Sequence, residues 1–389
     1  VLPTGKIPVV SQGKDLIDGY CNDVSKKIDV LPLVMFGDHT RNVKYIDFEF
    51  VIGADGTKFH KILSCNSEYI YYWMLYAAET LRNRGYARHY TLLKECVIPL
   101  PPLQEQVRIV SKIKAILPLV EKYGCEESKR VSLDSAFPNL LKRSILQEAI
   151  QGKLVPQDPG DEPASVLLER IRAEKQKLIA EGKIKRDKHE SVIFRRDNSH
   201  YEKLDGIECC IDDEIPFEIP DSWAWTSIGE VCTNIQYGSS QKSSPTGKIA
   251  VLRMGNLQNG RIVLDKLVYT SDSKEIEKYP LEYNDLLFNR TNSKELVGKV
   301  AIYKSEIPAI YAGYLVRLHP ILIDSDYLNY VMQSQYYWIY CQNVRSDAIG
   351  QSNINAEKLK RFIFPLPPLQ EQKRIVNQIS CAMNKIEYL

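Results

Sequence analysis

Polar side chains suited to binding nucleic-acid bases occur in loop segments of both halves of this chain. Arginine, asparagine and glutamine make paired hydrogen bonds to base edges, while lysine and hydroxyl side chains hold phosphates. Those in the first half are His39, Arg41, Lys58, Arg84, Tyr86, Arg88 and His89. Those in the second half are Arg253, Asn256, Gln258, Asn289, Arg290, Asn292, Lys294, Gln351 and Asn353. Together they form the predicted DNA-binding set, although asparagine-rich stretches by themselves are more typical of turns.

Residues that would support catalysis do not form a recognisable pattern. The six histidines are scattered, and none is paired with cysteines at the spacing of metal ligands. A phosphate-binding P-loop and a glycine-rich dinucleotide motif are both missing from the sequence. His39 follows Asp38, but a polar loop contact explains this pair better than catalysis does. We therefore predict no catalytic residue, no metal site and no cofactor in this chain.

Composition sets broad limits on the class of protein. A chain of 389 residues with 44% hydrophobic content has room for two or three packed domains. Its net charge of +2 means that any affinity for DNA must come from uneven charge rather than from bulk basicity. The nine cysteines include no Cys-x-x-Cys pair, which predicts reduced thiols and a cytoplasmic location.

One motif occurs twice and organises the rest of the sequence. Residues 98–110 and 364–376 differ at only two positions and share the run Pro-Leu-Pro-Pro-Leu-Gln-Glu-Gln. This proline content excludes a helix interior, but Pro102 and Pro368 fit the first turn of a helix. Apolar residues at heptad spacing follow each motif and predict a seam for another helix. The predicted helix-packing residues are Ile109, Ile113, Ile116, Val120, Ile375, Ile379 and Ile386.

The motif closes two similar domains. The run Pro3-Thr4-Gly5-Lys6-Ile7 recurs as Pro245-Thr246-Gly247-Lys248-Ile249, and a tyrosine-rich helix recurs later in each half. The segment before Pro245 has no counterpart before Pro3, so the first domain is expected to lack its opening segment. The predicted boundaries are 1–98 for the first domain, 99–185 for a central helical region, 186–215 for a linker, 216–364 for the second domain and 365–389 for a distal helical region.

Local patterns predict the elements of these regions. Alternating or continuous apolar runs predict strands at 30–36, 43–52, 285–288, 297–303 and 310–318. Asn66 or Ser67 is expected to cap a helix, and Asp161 is expected to cap another. The long helix over 102–150 is expected to kink or break at Pro118 and Pro138.

These motifs together resemble the specificity subunit of Type I restriction–modification enzymes. The resemblance rests on the doubled proline motif, on residues 140–156 and on residues 162–171. Residues 36–41, 85–90 and 287–293 also look like loops of that family's target-recognition domains. The similarity covers nearly the whole chain.

The resemblance implies an α+β fold with two similar mixed α/β target-recognition domains. Two long helical regions would separate them as an antiparallel coiled coil with pseudo-twofold symmetry. Each domain would read one half of a split DNA target, and the chain would bind two methyltransferase subunits. Restriction subunits would complete the complex. S-adenosylmethionine, ATP and magnesium would belong to those partner chains, and the chain itself would not be catalytic.

Two other classes of protein remain open from the residues alone. A single-chain nuclease or methyltransferase with unrecognised motifs would act on DNA in the presence of magnesium or S-adenosylmethionine. A helical scaffold whose globular domains bind only proteins would show no retention of DNA.

Overall fold

The computed structural model describes residues 1–82, 85, 88–187 and 189–386. The chain forms two compact units, Val1–Ser132 and Leu133–Leu389. Among the described residues no helix is both long enough and apolar enough to span a membrane.

The first unit contains two small sheets and a helical layer. Its strands are β1 (Ile7–Val10), β2 (Gly19–Cys21), β3 (Leu33–Gly37), β4 (Val43–Ile46), β5 (Val51–Ile52) and β6 (Thr57–Lys61). Its helices are α1 (Ser67–Thr80) and α2 (Tyr90–Lys94), followed by the start of α3 (Leu103–Ile150). The strand orders are β2-β1-β5 and β4-β3-β6. The predicted strand over 43–52 is therefore two strands, because β4 pairs with β3 whereas β5 pairs with β1.

Strand β3 separates two apolar cores in this unit. Successive side chains of a strand point to opposite faces, so Leu33 and Met35 pack into one core while Val34 and Phe36 pack into the other. Helix α1 covers the second core. The predicted cap at Asn66 is confirmed, since its side chain accepts a hydrogen bond from the N–H of Tyr69 at 3.0 Å.

Helix α3 is continuous over 48 residues. It begins directly after Pro102, as the sequence predicts, but it runs on through Pro118 and Pro138. The predicted break at these two positions is therefore wrong, and the kink offered as its alternative stays a prediction. Each proline removes one backbone donor, and the hydrogen-bonded turns on both sides maintain the helix.

The second unit is built around a six-stranded sheet. Its helices are α4 (Ala164–Ala180), α5 (Ile228–Val231), α6 (Ser273–Lys278), α7 (Ser325–Val331), α8 (Gln335–Val344), α9 (Ala356–Lys360) and α10 (Leu369–Ile386). Its strands are β7 (Ser191–Arg196), β8 (Ser199–Leu204), β9 (Ile207–Cys210), β10 (Ala224–Ser227), β11 (Cys232–Tyr237), β12 (Ile249–Leu252), β13 (Leu257–Gln258), β14 (Gly260–Ile262), β15 (Val268–Thr270), β16 (Leu286–Asn289), β17 (Thr291–Asn292), β18 (Val300–Ile302), β19 (Ala309–Tyr311), β20 (Leu315–Pro320), β21 (Ser346–Ala348), β22 (Gln351–Asn353) and β23 (Ile363–Leu366).

Strand β16 lies between the two cores of this unit. The six-stranded sheet has the order β11-β20-β16-β18-β14-β13, and the smaller sheets are β15-β12-β19, β17-β22-β21, β10-β23 and β7-β8-β9. Leu286 and Phe288 face the large core that also includes parts of α3, α4, α7 and α10. Leu287 faces a second core, which contains Tyr311 and Leu315. The predicted strand over 310–318 is divided into β19 and β20, because these two strands pair in different sheets.

Two local predictions in this unit are corrected. The expected linker over 186–215 contains the antiparallel strands β7, β8 and β9, which the sequence's high charge concealed. Ile193 on β7 is buried beside Trp225, so this small sheet has its own apolar contact. Asp161 does not cap α4, whose preceding residue is Pro163. Its carboxylate instead binds the Arg374 guanidinium of α10, with Nη2 and Oδ2 2.5 Å apart.

Glu371 in the first turn of α10 is buried, unlike its counterpart Glu105 in α3. Its carboxylate accepts hydrogen bonds from Trp223 Nε1 at 3.0 Å and from Gln157 Nε2 at 2.6 Å. Burial raises the pKa of the Glu371 carboxyl, and the two donated hydrogen bonds oppose that rise. The second copy of the motif thus binds segments that lie before and after α4.

We expect Glu371→Ala to lower the free energy of unfolding by about 1–3 kcal/mol, because it leaves two buried donors without their acceptor. Glu105→Ala is the matched control, and its effect should stay within about 0.5 kcal/mol since Glu105 is exposed. Urea unfolding of the full chain, followed by tryptophan fluorescence, measures both. Equal effects of the two substitutions would contradict the assigned role of Glu371.

Candidate nucleic-acid interface

A cleft of about 520 Å³ opens on the second unit. Four residues of the predicted DNA-binding set line it: Arg253, Arg290, Gln351 and Asn353. The other lining residues are Ser239, Ser240, Gln241, Ser243, Thr291, Ala312, Gly313 and Tyr314. The described residues that line this cleft include two arginines and no carboxylate, so its own side chains favour a negatively charged ligand.

Arg290 is held at the end of β16 by backbone and aromatic contacts. Its N–H donates to the Tyr314 carbonyl at 3.1 Å, and its carbonyl accepts from the N–H of Ile354 at 2.9 Å. Its guanidinium lies over the Tyr237 ring, 4.5 Å from the centroid. The Arg290 Nε atom meets no hydrogen-bond partner among the described residues. The side chain is thus oriented by stacking, and because its Nε is buried, donation to a ligand falls to the two Nη nitrogens.

Strands β17 and β22 supply three of the residues that line the cleft, Thr291, Gln351 and Asn353. They pair antiparallel, with Thr291 opposite Asn353. The Asn353 amide donates to the Thr291 hydroxyl at 2.7 Å, which fixes the orientation of that amide. Gln351 begins β22 and is exposed, so its amide is accessible to a ligand. These two strands therefore provide one oriented amide and one accessible amide.

Arg253, in the loop after β12, also lines the cleft. Its Nη2 donates to the carbonyl of Lys266 at 3.1 Å, while the side chain remains exposed. Asn256, which the sequence placed among the DNA contacts, is buried and holds this loop in shape. Its Oδ1 accepts from the N–H of Arg253, and its Nδ2 donates to the carbonyls of Val263 and Asp265. Asn256 is therefore assigned a structural role instead of a direct contact.

Asn289 is also buried, directly before Arg290 in the chain. Neither polar atom of its side chain meets a hydrogen-bond partner within the part of the chain that the structure describes. A fully buried side chain has no surface for a duplex, so the predicted direct contact is corrected here as well. This burial could not be predicted, because Asn289 stands in a polar run that is typical of a turn.

The remaining predicted residues of this unit surround the cleft without lining it. Gln258 is exposed and donates to the Gly255 carbonyl at 3.0 Å. Asn292 Nδ2 lies 3.5 Å from the sulfur of Met254. Lys294 is exposed, and its Nζ lies 3.3 Å from Asp347 on β21. These side chains anchor neighbouring loops, and Lys294 retains an exposed charge.

In the first unit the predicted residues divide into accessible and structural ones. Arg41 Nη1 donates to the carbonyls of Ala78 and Leu81 at 3.2 and 3.0 Å, so it closes the end of α1. His89 is buried, and its Nδ1 lies 3.1 Å from the Asp38 carbonyl. His89 is therefore assigned a structural role in place of the predicted DNA contact, whereas the contact predicted for half-buried Arg41 stays a prediction.

The accessible residues of the first unit are Arg88, which is exposed, and His39 and Lys58, which are half-buried. Lys58 Nζ lies 5.9 Å from the centroid of the Tyr90 ring. Arg84 and Tyr86 belong to the predicted set but lie outside the described residues.

Sequence reasoning missed the serine-rich loop after β11 and the two tyrosines around Arg290. Ser239, Ser240, Gln241 and Ser243 line the cleft, and Tyr237 supports the Arg290 guanidinium. The signal was present in the run Tyr237-Gly238-Ser239-Ser240-Gln241, because clustered hydroxyl and amide groups next to a glycine are suited to phosphates.

The predicted helix-packing residues differ in burial between the two motif copies. Ile375, Ile379 and Ile386 of α10 are buried within the second unit. In α3, Ile109 and Ile113 are half-buried, whereas Ile116 and Val120 are 41% and 56% exposed.

Comparisons with known proteins bear on the family to which the chain belongs. A model of the Type I restriction modification DNA specificity domain matches residues 2–121 and 220–388. The Type I restriction enzyme EcoAI specificity subunit of Escherichia coli is 29% identical over 342 residues, covering 75% of this chain and 54% of that protein. The EcoEI specificity subunit of Escherichia coli is 28% identical over 338 residues, covering 72% of this chain and 52% of that protein.

The chain thus spans about half the length of these curated relatives. The crystal structure of an HsdS subunit from Thermoanaerobacter tengcongensis aligns with a TM-score of 0.48 and 16% identity, covering 99% of this chain and 85% of that one. The family model covers most of the chain and falls in both compact units. The chain therefore belongs to the family of Type I restriction modification DNA specificity domains.

Proposed function

We propose that this chain is a DNA-sequence specificity subunit of a Type I restriction–modification complex. The observation that carries the proposal is the match of the specificity-domain model in both units, at residues 2–121 and 220–388. Two such domains in one chain are suited to a split target, with each domain reading one half. Specificity of this kind needs side chains that reach base edges, in addition to phosphate contacts.

The cleft of the second unit supports this role physically. Arg290 and Arg253 supply positive charge and several N–H donors, and Gln351 and Asn353 supply amides. Arginine pairs with guanine and the amides pair with adenine in the major groove. The serine hydroxyls of the loop after β11 are suited to the phosphates that flank those bases. We therefore propose this cleft as the reader of one half-site.

In this proposal the chain recognises DNA and partner subunits perform the chemistry. S-adenosylmethionine, ATP and magnesium would bind to those partners, and this chain would hold none of them. Two methyltransferase subunits would dock on the two related halves, and restriction subunits would join the full complex in the cytoplasm. The support is the repeated motif, since two similar surfaces on one chain suit two copies of one partner.

The helical regions are proposed to set the distance between the half-sites as an antiparallel coiled coil with pseudo-twofold symmetry. A 48-residue helix such as α3 is about 70 Å long. Ile116 and Val120 leave apolar surface exposed on α3, which is suited to a partner helix.

The test is co-expression of the full-length protein with its methyltransferase partner in a host without DNA modification, followed by sequencing of modified adenines. We expect one motif made of two short half-sites around a fixed spacer. Modification at a single unsplit motif, or none when the complex is shown to form, would contradict the proposal.

A further inference from the structure

The repeated motif holds its helix to the globular part of the first unit through three hydrogen bonds. Gln106 Oε1 accepts from the N–H of Asn66 at 2.8 Å, and its Nε2 donates to the carbonyl of Pro101 at 2.8 Å. The Tyr69 hydroxyl donates to the Pro99 carbonyl at 2.7 Å. The bonds to Asn66 and from Tyr69 join the motif to the start of α1, and the bond to Pro101 lies within the motif and orients the Gln106 amide.

The second unit repeats the same three bonds with different surrounding residues. Gln372 Oε1 accepts from the N–H of Asp324 at 2.8 Å, and its Nε2 donates to the Pro367 carbonyl at 2.8 Å. The Tyr327 hydroxyl donates to the Pro365 carbonyl at 2.7 Å. Here the bonds to Asp324 and from Tyr327 join the motif to the start of α7, and the bond to Pro367 lies within the motif. We call this arrangement, in either unit, the glutamine bridge.

The backbone explains why glutamine stands at this position. Asn66 and Asp324 are the N-cap residues of α1 and α7. The first N–H groups of a helix have no acceptor within the helix, so the glutamine oxygen supplies one. Proline has no N–H to donate, so the proline-rich segment can form only part of a strand ladder and leaves carbonyls to be satisfied by side chains. A side-chain amide offers the needed acceptor and donor together.

The glutamine side chain of each bridge is buried. Gln106 is 3% exposed and Gln372 is fully buried. Tyr69 is also buried, and burial raises the pKa of Tyr327 well above its ordinary value, so its hydroxyl remains a donor. The neighbouring Gln104 and Gln370 lie in the same helical turns and are exposed. The shared sequence thus contains one buried and one exposed glutamine in each copy.

We propose that Gln106 and Gln372 are positioning residues that fix the direction of each long helix relative to its own reading domain, and thereby fix the spacer length of the DNA target. This inference rests on the proposed function. A swing of about 3° at the start of α3, which is about 70 Å long, moves its far end by about 3.5 Å, which is one base-pair step. Over the 18 residues of α10, about 27 Å, a swing of about 7° gives the same displacement. A small loosening at the bridge therefore reaches the scale that separates one spacer length from the next.

The experiment compares Gln106→Ala and Gln372→Ala with the unaltered protein, each co-expressed with its methyltransferase partner and followed by sequencing of modified adenines. Both half-site sequences should remain unchanged. Preference for the original spacer over spacers one base pair longer or shorter should fall by about tenfold in each variant, the effect of losing roughly one hydrogen bond. Gln104→Ala and Gln370→Ala are the matched controls and should keep the original preference.

Three results would overturn the inference. The first is an unchanged spacer preference in both alanine variants. The second is a uniform loss of modification with an unchanged spacer preference, because a glutamine that only stabilises the fold would give that result. The third is the same broadening in the exposed-glutamine controls. An unaltered protein without a split motif would instead overturn the proposed function, and the spacer role with it.

A second pair of substitutions keeps the test available if an alanine variant does not fold. Gln106→Glu and Gln372→Glu retain the acceptor for the N-cap N–H but place a carboxylate oxygen against the proline carbonyl. They should broaden the spacer preference less than the alanine variants do. No broadening in either glutamate variant would count against the inference.

Discussion

Arg290→Ala in the full-length chain, assembled with its methyltransferase partner, is expected to bind target DNA about 10- to 100-fold more weakly. The guanidinium is stacked on Tyr237 at 4.5 Å and lines the cleft, so its loss removes a pre-oriented donor group. The largest loss should fall on the half-site read by the second unit. Fluorescence anisotropy with duplexes altered in one half-site at a time measures this.

The charge-matched control is Arg361→Ala. Arg361 is exposed after the end of α9 and does not line the cleft. We expect its affinity for target DNA to change by no more than about twofold, with sequence preference unchanged, because a remote exposed charge is screened. If both arginine variants weaken specific and non-specific duplexes equally, the cleft contributes only general charge attraction.

Local features of the fold could be predicted where short-range chemistry decides them. Proline in the first helical turn predicted the starts of α3 and α10, and the polar residue Asn66 predicted the cap of α1. Both depend on neighbouring backbone groups, which the sequence displays directly. The near identity of the two motifs has a physical cause as well, because the same glutamine and prolines make the same bonds in each unit.

Features that depend on distant residues were not predictable in the same way. Asp161 was expected to cap α4 but binds Arg374, more than two hundred residues later. The charged run over 191–210 concealed three strands, since their pairing is mostly through backbone atoms. Glu105 and Glu371 stand in identical motifs, yet only Glu371 meets Trp223 and Gln157.

The candidate site shows the same division between residue type and environment. Residue type selected Arg253, Arg290, Gln351 and Asn353 one by one, and the structure brings these four side chains to one cleft. Their contact with DNA stays a prediction. Residue type wrongly predicted a DNA contact for Asn256, whose side chain makes three hydrogen bonds within its own loop. An asparagine that shapes a loop and one that reads a base have the same sequence signature.

Asp285→Ala is expected to lower the free energy of unfolding by about 3–5 kcal/mol, because it breaks a buried ion pair and leaves Arg317 only the exposed carboxylate of Glu282, 3.0 Å from its Nη2. Asp285 is fully buried and Arg317 is 3% exposed on the neighbouring strand β20. Arg317 Nε lies 2.7 Å from the Asp285 carboxylate, and His319 Nδ1 lies 2.8 Å from it. Urea unfolding of the full chain measures the loss, since three of the four tryptophans belong to the second unit.

Two further variants distinguish the stability lost with the buried ion pair from the stability lost by removing any carboxylate charge. Asp221→Ala removes an equally charged carboxylate that is 99% exposed and 3.4 Å from Arg195, so its effect should stay within about 0.5 kcal/mol. Asp285→Ala combined with Arg317→Met should be more stable than Asp285→Ala alone, because the buried arginine charge that lost its buried partner is gone. A double variant as unstable as the single one would show that Asp285 acts through the N–H of Glu282, which it accepts at 2.6 Å, rather than through Arg317.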